Sequence, residues 1–409
     1  MTKRLLLSFF SVIFIISLAA LFILYGRGYR YDPRKNKVNP TGILSVSSYP
    51  QKASIYINGK LTSATDANIT LAPDWYQVKI SKEGYQSWEK RIRLQGEVVS
   101  QIDALLIPNN PSLKALTSSG IISPALSPSL SKVAYFITNR ESLPVSNRTK
   151  NGLWVMELSQ GPLGNKPEPK QVFIAETEYD FDNAKIYWSE DEKQLVLAFL
   201  DADPLNQTPY LAYLISLDNA PDESPINITF RFNEILETIR NDLTTQAIQE
   251  LKPLRPLLNQ FLSLNTSQIS FSPDDSKILY MATGSSTLAP VIDPPLIGAN
   301  PTEEIRKIVP GNYYIYDRKE DKNYLLFKSD PESKTSALPV WYSDSKHLLV
   351  VENEKIFIHD YDGLNKRSVY SGPFSRDFLA AWPTGGKILI LTNFNQTGPL
   401  ADLYEVDLR

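Results

Sequence analysis

A pattern that returns five times in the C-terminal part of the chain limits the possible folds more than any other feature. An apolar, aromatic-rich strand is followed by a polar turn and a second apolar strand at residues 125–136, 186–197, 269–280, 340–350 and 381–390. The third copy is the fullest: Ile269-Ser270-Phe271-Ser272-Pro273-Asp274-Asp275-Ser276-Lys277-Ile278-Leu279-Tyr280. A third strand follows most copies, at 153–158, 313–317, 356–360 and 403–408, and a fourth follows some, at 171–174 and 324–327. Five four-stranded units in series predict a five-bladed β-propeller over residues 110–409, because one such unit cannot bury both faces without neighbours. The fifth copy ends one strand short of four, while 112–117 forms a strand with no blade of its own. That strand is expected to complete the fifth blade.

Two interruptions stand out. From Phe232, apolar residues fall at Ile235, Leu236, Ile239, Leu243, Ala247 and Leu251, which is helical spacing. Pro253 and Pro256 break it, and a second short helix is expected at 257–262. Residues 231–264 therefore read as a helical insertion on a blade edge, either a docking element for a partner or a cap over apolar blade surface. Between copies three and four, Pro290, Pro294, Pro295 and Pro301 mark a long loop. The repeats, with their Ser-Pro-Asp-Asp turn at 272–275, resemble TolB-like and dipeptidyl-peptidase-type propeller blades. The Gly-x-Ser-x-Gly of the hydrolase domain that accompanies some of those propellers is missing.

At the other end, Lys3 and Arg4 precede an uncharged run of 21 residues, 5–25. About 20 helical residues cross a bilayer core, so residues 1–26 read as an uncleaved transmembrane anchor. The rival reading is a signal peptide cleaved after Ser17-Leu18-Ala19, but six uncharged residues follow that site. Arg27, Arg30, Arg34, Lys35 and Lys37 make 27–40 a basic juxtamembrane linker. By charge alone they would hold the following domains in the cytoplasm. That rule weakens before a long domain; the expected orientation, N-terminus in and C-terminal domains extracytoplasmic, is what the resemblance of the repeats above and of residues 41–108 below implies.

Residues 41–108 carry short alternating runs at 42–47, 53–57, 69–71, 75–80, 91–94 and 102–106, with Asn58-Gly59 as a hairpin turn. The pattern predicts a small β-sandwich. The stretch Pro50-Gln51-Lys52-Ala53 leading into Ser54-Ile55-Tyr56-Ile57-Asn58-Gly59-Lys60, then Trp75-Tyr76-Gln77-Val78 and Ser81-Lys82-Glu83-Gly84-Tyr85, resembles the PEGA domain family. The namesake Pro-Glu-Gly-Ala is Pro-Gln-Lys-Ala here, and Pro73-Asp74 replaces a Pro-Gly turn. The resemblance implies an envelope-associated protein of bacteria or archaea that contacts surface layers or polysaccharide, with no catalytic residues. Trp75, Tyr85 and Trp88 are candidate ligand-binding residues through sugar stacking, although filling a small core is the reading their type favours.

The absence of cysteine excludes disulfides, thiolate metal sites and Cys nucleophiles. His347 and His359 are the only histidines, on neighbouring strands, and two imidazoles without a third ligand make a poor metal site. Asp360-Tyr361-Asp362-Gly363 begins like a calcium loop but has Ser371 where Glu should stand. Asp201-Ala202-Asp203 is equally incomplete, and both read as hairpin turns. No cofactor is expected. Net charge is +6 over 1–40, +1 over 41–109 and −10 over 110–409, and the acidic large domain argues against a nucleic acid partner. The expected function is a membrane-anchored, non-enzymatic envelope protein that binds surface polysaccharide or a partner protein. The alternatives are a glycan-active enzyme in the propeller channel, needing paired carboxylates, or a structural adaptor of an envelope complex.

Overall fold

A computed structural model describes residues 2–26, 28–32, 37–138, 151–158, 168–175, 179–201, 208–218, 223–328, 338–394 and 400–408, with backbone alone at 2–8, 30–32 and 37–39. Arg27, Arg34, Lys35 and Asp203 lie outside the described residues. Helix α1 (Thr2–Gly26) includes an 18-residue window, Phe9–Gly26, of mean hydropathy 2.5 with none of it buried. Its 25 residues, at about 1.5 Å each, exceed a hydrocarbon core of roughly 30 Å. The basic segment after it is a two-stranded hairpin, Tyr29–Asp32 against Lys37–Pro40.

The sandwich has two sheets. Gly42–Tyr49 is central in the first, antiparallel to Ala67–Leu71 and parallel to Val99–Leu105. The second runs in the order Lys60–Ala64, Ser54–Ile57, Asp74–Ser81, Trp88–Leu94. Alternation along these strands sends Leu44, Val46, Ile55, Val78, Ile80, Ile92, Leu94 and Ile102 into one core. Asn58 and Gly59 take φ of 50° and 79°, the left-handed pair that a tight hairpin needs.

The C-terminal part is five four-stranded antiparallel sheets, so the chain is mainly β as expected. The first is Ile122–Leu126, Lys132–Ile137, Gly152–Glu157, Lys170–Ile174, and the second Ala184–Trp188, Gln194–Leu200, Pro209–Ser216, Ile226–Asn227. The third is Thr266–Phe271, Lys277–Ala282, Tyr313–Asp317, Lys322–Phe327, and the fourth Val340–Trp341, His347–Glu352, Lys355–Asp360, Arg367–Tyr370. The fifth is Leu379–Ala381, Lys387–Thr392, Asp402–Asp407 and, outermost, Ser112–Ala115. This last strand joins the two ends of the domain, with Leu113 opposite Val406 and Lys114 opposite Glu405. The Lys114 and Lys387 ammoniums donate to the two oxygens of Glu405 at 3.0 and 2.8 Å.

The recurrent turn has one geometry in all five sheets. The residue at its fourth position donates its N–H to the carbonyl of the first, as in Asp275 to Ser272 at 2.8 Å and Gly385 to Trp382 at 2.9 Å. That fourth residue has φ of 58°, 56°, 55°, 60° and 73° at Leu130, Glu192, Asp275, Ser345 and Gly385. Only the fifth copy uses glycine for this left-handed position. In the third, Ser272 Oγ accepts from Lys277 N and Asp274 Oδ1 from Ser276 N, so the side chains hold the turn instead.

Sheets pack face to face, first on second, first on fifth, fifth on fourth and fourth on third. Among the described residues no core cluster joins the second sheet to the third. Instead, helix α2 (Phe232–Leu251) lays Phe232 and Leu236 on Val196 and Ala198 of the second sheet. Helix α3 (Pro256–Asn265) lays Leu258, Phe261 and Leu262 on Ile278 and Tyr280 of the third. The insertion therefore covers sheet faces rather than sitting on a blade edge, because Val196, Ala198, Ile278 and Tyr280 alternate with residues already buried against the other neighbour.

Candidate functional site

The sandwich is fixed on one end of the third and fourth sheets. Trp88, at the start of its strand, is buried and donates its indole N–H to Asp360 Oδ2 at 3.0 Å. The other oxygen of Asp360 lies 3.3 Å from His347 Nε2, and His347 Nδ1 lies 2.6 Å from Asp344 Oδ2. Burial works against charge on the His347 imidazole, but Asp344 and Asp360 outweigh it and push it up to about 10. The run Trp88, Asp360, His347, Asp344 is thus a charged latch between domains. Beside it the Lys90 ammonium pairs with Asp362, whose carboxylate also accepts from Thr302 Oγ1 at 2.6 Å and Asn300 Nδ2 at 2.9 Å. Burial opposes ionisation of Asp362, yet Lys90 and these two donors hold its carboxyl below the usual range.

Backbone and apolar contacts complete the contact. Gln86 Nε2 donates to Ser368 O at 2.9 Å, Arg367 Nε to Ser87 O at 2.9 Å, and Gly298 N to Gln95 Oε1 at 2.7 Å. Leu105 and Ile107 enter the core shared by the fourth and fifth sheets. The proline-rich stretch lies between copies three and four as expected, and joins the second and third strands of the third sheet, Lys277–Ala282 and Tyr313–Asp317. It brings Gly298 to Gln95 of the sandwich, and Asn300 and Thr302 to Asp362 beside Lys90. Gly363, at φ +79°, brings the fourth sheet's turn so close to the third that a Cβ would lie 2.4 Å from Leu325 O.

Between the domains a cleft of about 410 Å³ remains. The edge strands Trp88–Leu94 and Val99–Leu105 form its upper wall, with Ser100, Gln101 and Asp103. Lys277, Asp317, Lys319, Glu320, Lys346 and Tyr361 line its lower wall. The Asp103 carboxylate pairs with Lys346 across it.

The three aromatic candidates do not share a face. Trp75 stands opposite Arg93 and Trp88 opposite Ile80 in the same strand pair, an odd number of residues apart, so the two rings leave the sheet on opposite sides. Trp75 is 40% exposed, with the Arg91 guanidinium 4.8 Å from its ring centroid. Tyr85 is half-buried against the sandwich core. Asp360-Tyr361-Asp362-Gly363 is a turn closed by Gly363 N to Asp360 O at 2.9 Å. Its carboxylates are occupied by protein donors, and among the described residues no group of three His, Asp or Glu side chains could hold a metal ion. His359 lies one residue away on the same strand but is buried among apolar neighbours. Burial, with Lys366 nearby, lowers it to about 4.

Lys90, Asp103 and Lys346 escaped the sequence reading, and Asp362 was read only as part of a hairpin turn. Their only signal is the spacing of Trp88 and Lys90, two residues apart on one face of a strand. The Lys90–Asp362 partners are 272 residues apart, and no local pattern links them.

Residues 41–109 match the PEGA domain. No curated protein matches the chain. Solved structures similar to it include a protein described as TolB from Agrobacterium tumefaciens, at 11% identity and a TM-score of 0.21, covering 88% of this chain and 99% of that one. TolB from Acinetobacter baumannii is 12% identical with a TM-score of 0.23, covering 81% of this chain and 59% of that one. An oligogalacturonate lyase from Vibrio parahaemolyticus is 10% identical with a TM-score of 0.26, covering 88% and 97%. Scores this low carry no argument about function, and the sheet pairing above stands without them.

Proposed function

We propose that this chain is a membrane-anchored, non-enzymatic binding protein of the cell envelope, whose sandwich and sheets act as one rigid head. The observation that carries this reading is the latch. A sandwich held by Trp88–Asp360, Lys90–Asp362 and a shared apolar core is positioned for joint binding, whereas a tethered one would bind alone. The cleft lined from both domains is where a surface polysaccharide or a partner protein would be held. In this reading α1 is an uncleaved anchor, the head is extracytoplasmic, and the five sheets are the blades of a ring fastened by Ser112–Ala115. The state of His347 supports a role without nucleophilic catalysis: both ring nitrogens face carboxylates, which leaves none to activate a hydroxyl.

The test is a glycan array and an envelope pull-down with the soluble fragment 41–409, beside the same fragment carrying Asp360→Ala. Capture by the first and loss by the second, with both domains still folded by circular dichroism, is the expected result. Equal capture by the isolated sandwich 41–109 would refute joint binding. N-terminal sequencing of the mature protein tests the anchor, and a start near Ala20 would sink that part.

A further inference from the structure

The floor of the cleft holds a cation that the latch does not use. Lys277 keeps a side chain only 9% exposed, yet its ammonium has one close hydrogen bond, to Ser276 Oγ at 3.0 Å. Asp317 is 3.9 Å away, and the Tyr361 ring centroid lies 4.6 Å from the nitrogen. Lys319 and Lys346 line the same cleft. Their outer partners are Asp274, 3.5 Å from Lys319, and Asp103 beside Lys346.

Each wall carboxylate already accepts at least one other protein donor. Asp317 Oδ1 accepts the N–H groups of Lys319 and Glu320 at 2.9 and 3.0 Å. Glu320 Oε2 accepts Asn300 N at 2.9 Å, and burial raises its carboxyl. Asp360 is taken by Trp88, Asn365 and His347. An ammonium has three donors, so Lys277 has capacity left where the carboxylates have little. Burial lowers Lys277, and its two lysine neighbours lower it further against Asp317 and Asp274. A desolvated, under-compensated cation at the floor of an open cleft is stabilised most by an incoming anion.

We propose that the cleft binds the carboxylate or phosphate group of a small ligand, with Lys277 as its principal contact and Lys319 and Lys346 flanking it. This rests on reading the cleft as a binding site, and it supplies the chemical class that reading lacks. Such a ligand would bridge the domains, because its anionic group sits on the third and fourth sheets while its remainder faces Ser100 and Gln101 of the sandwich.

The experiment is calorimetric titration of the full chain in detergent micelles with inorganic phosphate, glucuronate and neutral glucose. Saturable binding of phosphate or glucuronate, absent for glucose and weakened at least tenfold by Lys277→Met, is the expected result. Phosphate alone points to a phosphate group and glucuronate alone to a sugar acid; either supports the site. Lys277→Arg should retain binding, and if the methionine variant does not fold, the Lys319→Met, Lys346→Met double variant takes its place with the same expected loss. Glucose binding as well as glucuronate, anion binding untouched in a folded variant, or none at millimolar anion would overturn the proposal. Capture of a glycan or partner by 41–409 without anion binding defeats this inference alone. Anion binding without any such capture defeats the broader reading alone.

Discussion

Replacing Lys90 by methionine should loosen the sandwich from the sheets more than any other single change at the contact. The side chain of Asp362 is 0% exposed and that of Lys90 10%, so removing the ammonium strands a carboxylate out of reach of water. Breaking a buried pair this way costs about 3–5 kcal/mol. Two donors remain, Thr302 and Asn300, and hydrogen bonds to a charged group each retain about 1.5–3 kcal/mol. The expected loss is therefore near the lower end, about 3 kcal/mol. Asp362→Asn leaves Lys90 unpaired but removes the buried charge, and the double variant removes both charges. Its loss should fall short of the sum of the single losses by about 1–3 kcal/mol. The assay is denaturant unfolding of the full chain in micelles, read by tryptophan fluorescence, since Trp88 sits at the contact. Additive losses, or a Lys90→Met variant within about 0.5 kcal/mol of the parent, would refute the reasoning.

Two further outcomes follow from the sheets. The His359 imidazole, lowered to about 4 by burial, is neutral in the fold, while the unfolded imidazole gains its proton near 6.5. Stability should therefore be intact above pH 6.5 and fall as pH drops toward 4, by up to about 3 kcal/mol; His359→Phe should shift the acid unfolding midpoint downward, and an unchanged midpoint counts against it. Deleting residues 110–118 strips the strand that pairs with Asp402–Asp407 and should cost on the order of 3 kcal/mol, from a few backbone hydrogen bonds at about 1 each; a denaturation midpoint no lower than that of a shortened exposed loop would show that the strand fastens nothing.

How much of this was legible depended on whether the signal was local. Strands such as Lys132–Ile137 and Gln194–Leu200 announce themselves because both faces are buried and nearly every residue is apolar. The turns were legible because a short polar segment recurs in phase between two apolar strands; their left-handed fourth residue was not, since only the fifth copy places glycine there. Lys60–Ala64 was missed because it is an edge strand with most side chains exposed, so nothing selects an alternating pattern. Ile226–Asn227 is an outer strand of the same kind, with both side chains exposed. At the site, Asp360-Tyr361-Asp362-Gly363 is the hairpin turn expected from its residues. Which donors its carboxylates meet depends on a sandwich some 270 residues earlier in the chain, and that is a property of the packing. Trp88 illustrates the same limit: a buried indole reads as core filler, and only the fold supplies the carboxylate at its nitrogen.

The helical insertion gains meaning from which faces it covers. In the second sheet Leu195, Leu197 and Phe199 face the first sheet, which leaves Val196 and Ala198 for the other side. In the third, Leu279 faces the fourth sheet, which leaves Ile278, Tyr280 and Ala282. Two apolar faces left over in this way would ordinarily bury one another. Here each is covered by its own helix, the second sheet by α2 and the third by α3. The first half of α2 is spent on this cover. Residues 241–250 have left it: all but the half-buried Leu243 are exposed, although the helix continues to Leu251. A helical stretch with so little tertiary contact gains little from packing. Covering the second sheet thus accounts for the start of α2 and covering the third accounts for α3, while the turns of helix between them serve to span the distance from one face to the other.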